Sequence, residues 1–282
     1  MITSSFDYHR ATSIDDALAK LAASGGKLLA GGHSLVPLMK LRMSEPAALI
    51  DIARIPGLSG IRESQGSIEI GAATTHHQVA TSAVLATACP MVCEMAADIG
   101  DPQVRNRGTI GGSLAHADPA ADYPAVMLAL DAEIQLRSAG GSRVVKASEF
   151  FQGLFTVDLA PDEMIVSVRF TPVKGAAYAK LHQRASHFAI VGVAAALKVE
   201  AGKIAAARVG ITGAGPHATR LRTVEDALVG KAANAEAARS AAAGATLTDV
   251  NSDIHASEDY RRAMIPVFTR RAIEGALARA GS

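Results

Sequence analysis

Apolar positions along this chain switch between two rhythms. Ile14, Leu18 and Leu21 fall at helical spacing behind Ser13 as a capping residue. Asp15 and Asp16 occupy the first turn, where free amides favour negative charge. Gly25-Gly26 ends this helix, and Lys27 to Ala30 reads as a short strand entering the pair Gly31-Gly32. Val36 to Arg42 reads as a helical turn, with Pro37 tolerated near its start. Ala48 to Ile52 is a second strand, and a small α/β lobe closes near Ile55-Pro56-Gly57.

In the next stretch, Ser67 to Gly71 alternates as a strand and Gln78 to Ala97 is helical with a break at Pro90. Asp101 to Gly108 is a polar loop. Ala132 to Arg137 and Arg143 to Val145 form a hairpin around Gly140-Gly141, and Glu163 to Phe170 is a further strand. Beyond Pro172 and Gly175, three strands are expected over Tyr178 to His182, Ala189 to Val199 and Ile204 to Ile211, the last two joined by the turn Ala201-Gly202-Lys203. Alanine-rich helices follow from Val224 and over Glu258 to Arg279, which predicts a three-stranded antiparallel sheet with helices on one face. The chain is therefore read as α+β, with lobes over 1–56 and 57–173 and a C-terminal α+β domain over 174–282.

Composition narrows the function. The 282 residues are 49% hydrophobic, enough for sizeable cores, and carry a net charge of +1 without a strongly basic segment. Nucleic-acid binding is poorly supported, because phosphate-backbone recognition leaves a basic patch. The longest apolar run, Ala189 to Leu197, is far short of the roughly 20 residues of a membrane span. Met1 to Arg10 has no basic-then-apolar layout, so no signal peptide is expected. Cys89 and Cys93 lack a Cys or His cluster typical of zinc and read as buried thiols in a reducing cytoplasm; no metal site is expected. Two cysteines also cannot ligate an iron–sulfur cluster, so any such centre lies on another chain.

Candidate chemistry concentrates in two glycine-pair segments, Ala30-Gly31-Gly32-His33-Ser34 and Thr109-Ile110-Gly111-Gly112-Ser113. Paired glycines allow positive φ and close approach of backbone to a ligand, and successive amides can converge on an anion. Two such segments can hold the two phosphates of a dinucleotide; each alone is also an ordinary structural turn. Neither fits G-x-G-x-x-G, which argues against a Rossmann nicotinamide site, and no phosphate-binding G-x-x-x-x-G-K-[ST] is present. Asp122, before Tyr123-Pro124, is either a helix N-cap or an acceptor for ligand hydroxyls. His76, His77 and His116 lack a ligand set and read as surface or hydrogen-bonding histidines. With no nucleophilic triad and no carboxylate pair, no catalytic residue is assigned; a cofactor cradle without acid–base machinery suits flavin chemistry.

At these motifs the chain resembles the FAD-binding medium subunit of the molybdenum hydroxylases, the family of bacterial carbon monoxide dehydrogenase and xanthine dehydrogenase. The likeness runs from Phe6-Asp-Tyr-His-Arg through Leu29 to Lys40, Asp101-Pro-Gln-Val-Arg and Thr109 to Ser113, and on to Tyr260-Arg-Arg-Ala-Met and Arg270-Arg-Ala. It implies a two-lobed, non-Rossmann (PCMH-like) FAD-binding region followed by the α+β domain. By motif, Lys27, Leu28, Leu29, Ala30, Gly31, Gly32, His33 and Ser34 would line the FAD diphosphate, as would Thr109, Ile110, Gly111, Gly112 and Ser113. Asp122 would bond the ribityl or neighbouring polar groups, and Ile99, Ile165 and Lys180 match later contact positions. The otherwise bland readings of Ile165 and Lys180 are a core strand residue and a solvated lysine.

The resemblance also implies partners. A large subunit would carry the molybdopterin cofactor and a small subunit two 2Fe–2S clusters, in a dimer of heterotrimers that would pass electrons through FAD here to an external acceptor in the cytoplasm. Ser113 stands where many relatives have asparagine, which keeps a polar contact but shortens its reach. Arg184 to Gly192 replaces the Asp-Tyr-Ala type loop of carbon monoxide dehydrogenases, which favours an N-heterocycle or related aromatic over carbon monoxide as the complex's substrate. His187 and Phe188 are expected beside the isoalloxazine, controlling its access to the acceptor. A stand-alone FAD oxidase or reductase, which would need its own substrate pocket, and a flavin-free scaffold are the rival readings.

Overall fold

Three main sheets organise residues 2–281, the residues that the computed structural model describes. The first is parallel and sets Ala48–Asp51 between Asp7–Arg10 and Lys27–Leu29. The helix Ile14–Ser24 packs on it through Ala17, Leu18 and Leu21; Ser13 Oγ accepts from Asp16 N at 3.0 Å, and Gly25 closes the helix at φ 58°. Asp7–Arg10 is polar and largely exposed, so hydrophobic alternation does not announce it; pairing with Ala48–Asp51 makes it a strand.

The second sheet is antiparallel, in the order Ile61–Ser64, Ser67–Gly71, Met164–Phe170, Glu133–Ser138, Gly141–Lys146. The expected hairpin is present, with Ser138 opposite Gly141. Ile68, Ile70, Ile134, Leu136 and Val168 are fully buried on it. The region expected as one broken helix is three short ones, His76–Ala80, Ala83–Ala88 and Pro90–Ala97. Ser82 starts a new helix by accepting from Leu85 N at 3.3 Å, and Pro90 has no N–H with which to continue the previous one. The segment 101–108 is not all loop: Pro102–Arg105 is helical, because Asp101 Oδ1 caps Val104 N at 2.8 Å and Pro102 is preset for the first helical position.

The third sheet is antiparallel, built from Ala176–His182, Ala189–Glu200 and Lys203–Thr212, with a two-residue edge strand Thr219–Arg220. Along Ala189–Glu200 the apolar run is buried on both sides: Val191, Val193, Ala195 and Leu197 join one core, Ala194 and Ala196 the other. The helices Arg222–Leu228, Ala235–Ala243 and Glu258–Ala280 close the first face. Helices on one face were expected, but the second face is covered too, by Asp122–Ala129 of the second lobe, a helix buried on every side. The packing is close: a Cβ on Gly210 would sit 2.2 Å from the Ala125 carbonyl oxygen. This contact fixes Asp122 against Ala176–His182.

Candidate functional site

A cavity of about 700 Å³ opens between the three sheet regions. Apart from Ile110 and Lys180, every candidate position named from the sequence lines it. Ile110 is fully buried in the core beneath the second glycine pair. Lys180 stands behind Asp122, its side chain 1% exposed, rather than in solvent.

The first glycine pair meets, through backbone, the residues that lead into the second. A Cβ on Gly31 would lie 2.2 Å from the Arg107 carbonyl oxygen and 2.8 Å from Gly108 Cα, so only glycine lets the first loop reach the second. Gly32 takes φ 76°, a left-handed conformation that favours glycine. Among the described residues, the amides of Gly31, Gly32, His33 and Ser34 donate to no protein acceptor. The second pair behaves differently. It lies in the first turn of the helix Ile110–His116, with Thr109 as N-cap. Ile110 N donates to Thr74 O at 3.1 Å, Gly111 N to Ala72 O at 2.9 Å, Gly112 N to Thr109 Oγ1 at 3.1 Å and Ser113 N to Thr109 O at 3.0 Å. Gly111 is required because a Cβ there would meet Ala72 Cβ at 2.6 Å. Two segments alike in sequence thus differ in what they offer: free amides in the first, side chains and a close-packed wall in the second.

Asp122 is not an N-cap. Ala121 holds the cap position and Asp122 is the first helical residue, 4% exposed, its carboxylate turned to the third sheet. Tyr178 Oη donates to Oδ1 at 2.5 Å, and Lys180 Nζ to Oδ2 at 3.2 Å and to the Asp98 carbonyl at 3.0 Å. Burial pushes the Asp122 carboxyl above the usual carboxylate range against the opposing pull of Lys180 and Tyr178. Burial beside that acid raises the Tyr178 phenol well above its ordinary value, so it stays a donor. Each carboxylate oxygen can accept a further hydrogen bond from the cavity.

His76 is buried, which removes the surface alternative expected for it, while its neighbour His77 is exposed. It lines the cavity under Gly108, where a Cβ would lie 2.5 Å from His76 Nε2, and its ring is 5.3 Å from that of Tyr123. Burial, with smaller contributions from His33 and Arg105, lowers its pKa to about 4, so it is neutral near pH 7. Nothing local distinguishes it from His77; the burial comes from Tyr123 and the Gly108 segment, both distant in sequence. His116 is half-buried against Phe155, ring to ring 5.1 Å. Ile99 is steadied by Arg105, whose Nη1 donates to the Ile99 and Gly100 carbonyls at 3.0 Å each. His187, at φ 60°, and the half-exposed Phe188 form the cavity rim on a tight turn closed by Gln183 N to Phe188 O at 2.8 Å.

A cavity walled by free glycine-loop amides at one place and a buried acid at another defines a dinucleotide-type cofactor protein on a non-Rossmann scaffold. The comparisons with known proteins say which. The family described as "FAD binding domain in molybdopterin dehydrogenase" matches residues 4–172, and "CO dehydrogenase flavoprotein C-terminal domain" matches 176–276. The carbon monoxide dehydrogenase medium chain of Hydrogenophaga pseudoflava is 39% identical, across 99% of each chain. The 6-hydroxypseudooxynicotine dehydrogenase complex subunit alpha of Paenarthrobacter nicotinovorans is 41% identical across 98% of this chain and 96% of the relative. The solved carbon monoxide dehydrogenase from H. pseudoflava superposes with a TM-score of 0.95 at 40% identity over 99% of each chain. The chain belongs to the family of FAD-binding medium subunits of molybdenum hydroxylases, and is the FAD subunit of an oxidoreductase. Among the described residues, no helix is long and apolar enough to cross a membrane.

Proposed function

We propose that this chain is the electron-exit subunit of a heterotrimeric molybdenum hydroxylase, assembled as a dimer of heterotrimers with a small 2Fe–2S subunit and a large molybdopterin subunit. FAD bound in this cavity would supply the electron-transfer chemistry between the small subunit's clusters and an external acceptor. The observation that carries this reading is the cavity whose wall includes the four unpaired amides of 31–34. In this reading those amides hold the diphosphate, and Gly31 and Gly32 let the backbone come close to it. Thr109, Gly112 and Ser113 supply wall and hydroxyls, with Ile110 and Gly111 seating that turn on the core. Asp122, held by Tyr178 and Lys180, accepts from the ribityl hydroxyls. Ile99 and Ile165 contribute apolar wall, and His187 and Phe188 stand at the rim where an acceptor would approach. No residue here touches the hydroxylated substrate.

An N-heterocycle or related aromatic is the proposed substrate class of the complex. Its support is the loop 184–192 and the likeness to a subunit of a 6-hydroxypseudooxynicotine dehydrogenase. The two buried free thiols, Cys89 and Cys93, suit a reducing cytoplasm. Lobes over 1–56 and 57–173 with a domain over 174–282 are the proposed units.

Titrating the FAD-free chain with FAD tests the cradle: flavin fluorescence is expected to quench stoichiometrically, and less so in Gly31→Val. In the whole complex, substrate is then expected to reduce the iron–sulfur centres of Gly31→Val while turnover with the acceptor is lost. A chain that stays colourless yet binds its partners supports the scaffold reading. Turnover by the isolated chain supports the stand-alone oxidase.

A further inference from the structure

Away from the glycine loops, three potential metal ligands converge beside the cavity rim, which His187 lines. Asp98 caps the end of the helix Pro90–Ala97, His182 ends the strand Ala176–His182, and His187 sits on the turn that follows. Their donor atoms all lie within 4.8 Å of one another, the one such group of three among the described residues. His182 Nε2 is 2.5 Å from Asp98 Oδ2, and His187 Nδ1 is 3.8 Å from Asp98 Oδ1. Ligand atoms about 2.1 Å from a tetrahedral zinc stand roughly 3.4 Å apart, so the two separations bracket the required spacing. Small side-chain rotations suffice, since both imidazoles are exposed and the carboxylate is partly so.

The backbone around the group is held in place. The Asp98 carbonyl accepts from Lys180 Nζ at 3.0 Å, and Gln183 O accepts from His187 N at 2.9 Å. His187 itself occupies the left-handed region at φ 60°, where a β-carbon is costly and glycine would relieve the strain. The local charge also suits a cation. Asp98 and Asp122 share one ammonium, Lys180 Nζ lying 3.4 Å from Asp98 Oδ2 and 3.1 Å from Asp122 Oδ1, so the three groups together keep a net negative charge. Arg105 is turned to the Ile99 and Gly100 carbonyls.

We infer that Asp98, His182 and His187 form a binding site for a late first-row divalent cation of the zinc class. Two imidazoles and one carboxylate favour such an ion over calcium or magnesium, which take oxygen ligands. Three protein ligands leave a position open to water. The ion fastens the turn 183–188 to the end of Pro90–Ala97 and so stiffens the rim that carries Phe188. The site is built from protein groups alone and does not depend on the flavin reading.

The test uses the full chain without a polyhistidine tag, stripped of metal. Zn²⁺ is titrated calorimetrically, and Co²⁺ by its visible ligand-field absorption. A single specific site is expected, with affinity lowered at least about tenfold in each of His182→Gln, His187→Ala and Asp98→Asn. Thermal unfolding of the metal-free histidine variants is expected to be unchanged, because both side chains are exposed. As a second readout, Zn²⁺ is expected to slow tryptic cleavage after the exposed Arg184 in the wild type but not in His187→Ala. Absence of a calorimetric signal and a Co²⁺ spectrum, or unchanged affinity in either histidine variant, would overturn the assignment.

Discussion

Gly31 and Arg107, distant in sequence, touch through backbone: a Cβ on Gly31 would sit 2.2 Å from the Arg107 carbonyl oxygen. The absence of a side chain at Gly31 therefore lets the two glycine segments share one cavity wall. Gly112 is less constrained, since its Cβ would meet only the Thr109 hydroxyl, at 2.9 Å. Gly31→Ala is expected to lower stability by about 1–3 kcal/mol, the usual cost of overpacking. It should weaken FAD binding by more than Gly112→Ala does. Chemical denaturation and flavin titration of both variants check the ranking.

Asp122 and Lys180 form a buried pair whose removal leaves one charge without its main partner. Asp122→Asn keeps the shape but leaves an ammonium that is 1% exposed with only the more distant Asp98 carboxylate at 3.4 Å, an expected loss of about 3–5 kcal/mol. Tyr178→Phe removes only a hydrogen bond to a charged acceptor and should cost less, about 1.5–3 kcal/mol. Gly192→Ala should mimic it, because the added Cβ would lie 2.2 Å from Tyr178 Oη. Urea unfolding gives the three values.

His76 makes stability depend on pH with a definite sign. Its pKa falls from 6.5 unfolded to about 4 folded, so between these values the unfolded chain binds more protons and stability rises with pH. This contribution is complete above the unfolded value and is lost on acidification towards the folded one. From pH 7 to pH 5 it amounts to about 2 kcal/mol. Unfolding of wild type and His76→Gln at both pH values isolates it; an equal pH dependence in the two proteins would count against the buried neutral histidine.

Arg261, from the Tyr260 to Met264 motif, is a structural clamp. Its Nη1 donates to the Ile190 and Gly213 carbonyls at 2.7 and 2.8 Å, and its Nη2 to Asp253 at 2.6 Å. Arg261→Met is expected to destabilise the chain by about 2–5 kcal/mol. FAD affinity of the folded fraction should remain, because Arg261 does not line the large cavity. Calorimetric unfolding combined with flavin titration separates the two effects.

Signals confined to a few neighbouring residues were readable in the chain. Ser13 caps its helix, Gly140-Gly141 turns its hairpin, and the run after Ala189 is a strand. Hydrogen bonding and burial at these places are decided by residues close in sequence or by simple alternation. Resemblance added the candidate cavity residues, nearly all of which line one cavity.

Tertiary structure alone decided the rest. Two glycine pairs that look equivalent became different because Ala72 and Thr74 accept the amides of Gly111 and Ile110, while no described residue accepts those of 31–34. Asp122 left the cap position because Tyr178 and Lys180 approach from another sheet, 56 and 58 residues on. His76 parted from His77 through packing against Tyr123 and Gly108. The sequence by itself determined most of the elements, through local backbone preferences, and its motifs named the cradle residues. Which amides stay free, and which charges are buried together, depends on contacts between segments far apart in the chain, and only folding brings those together.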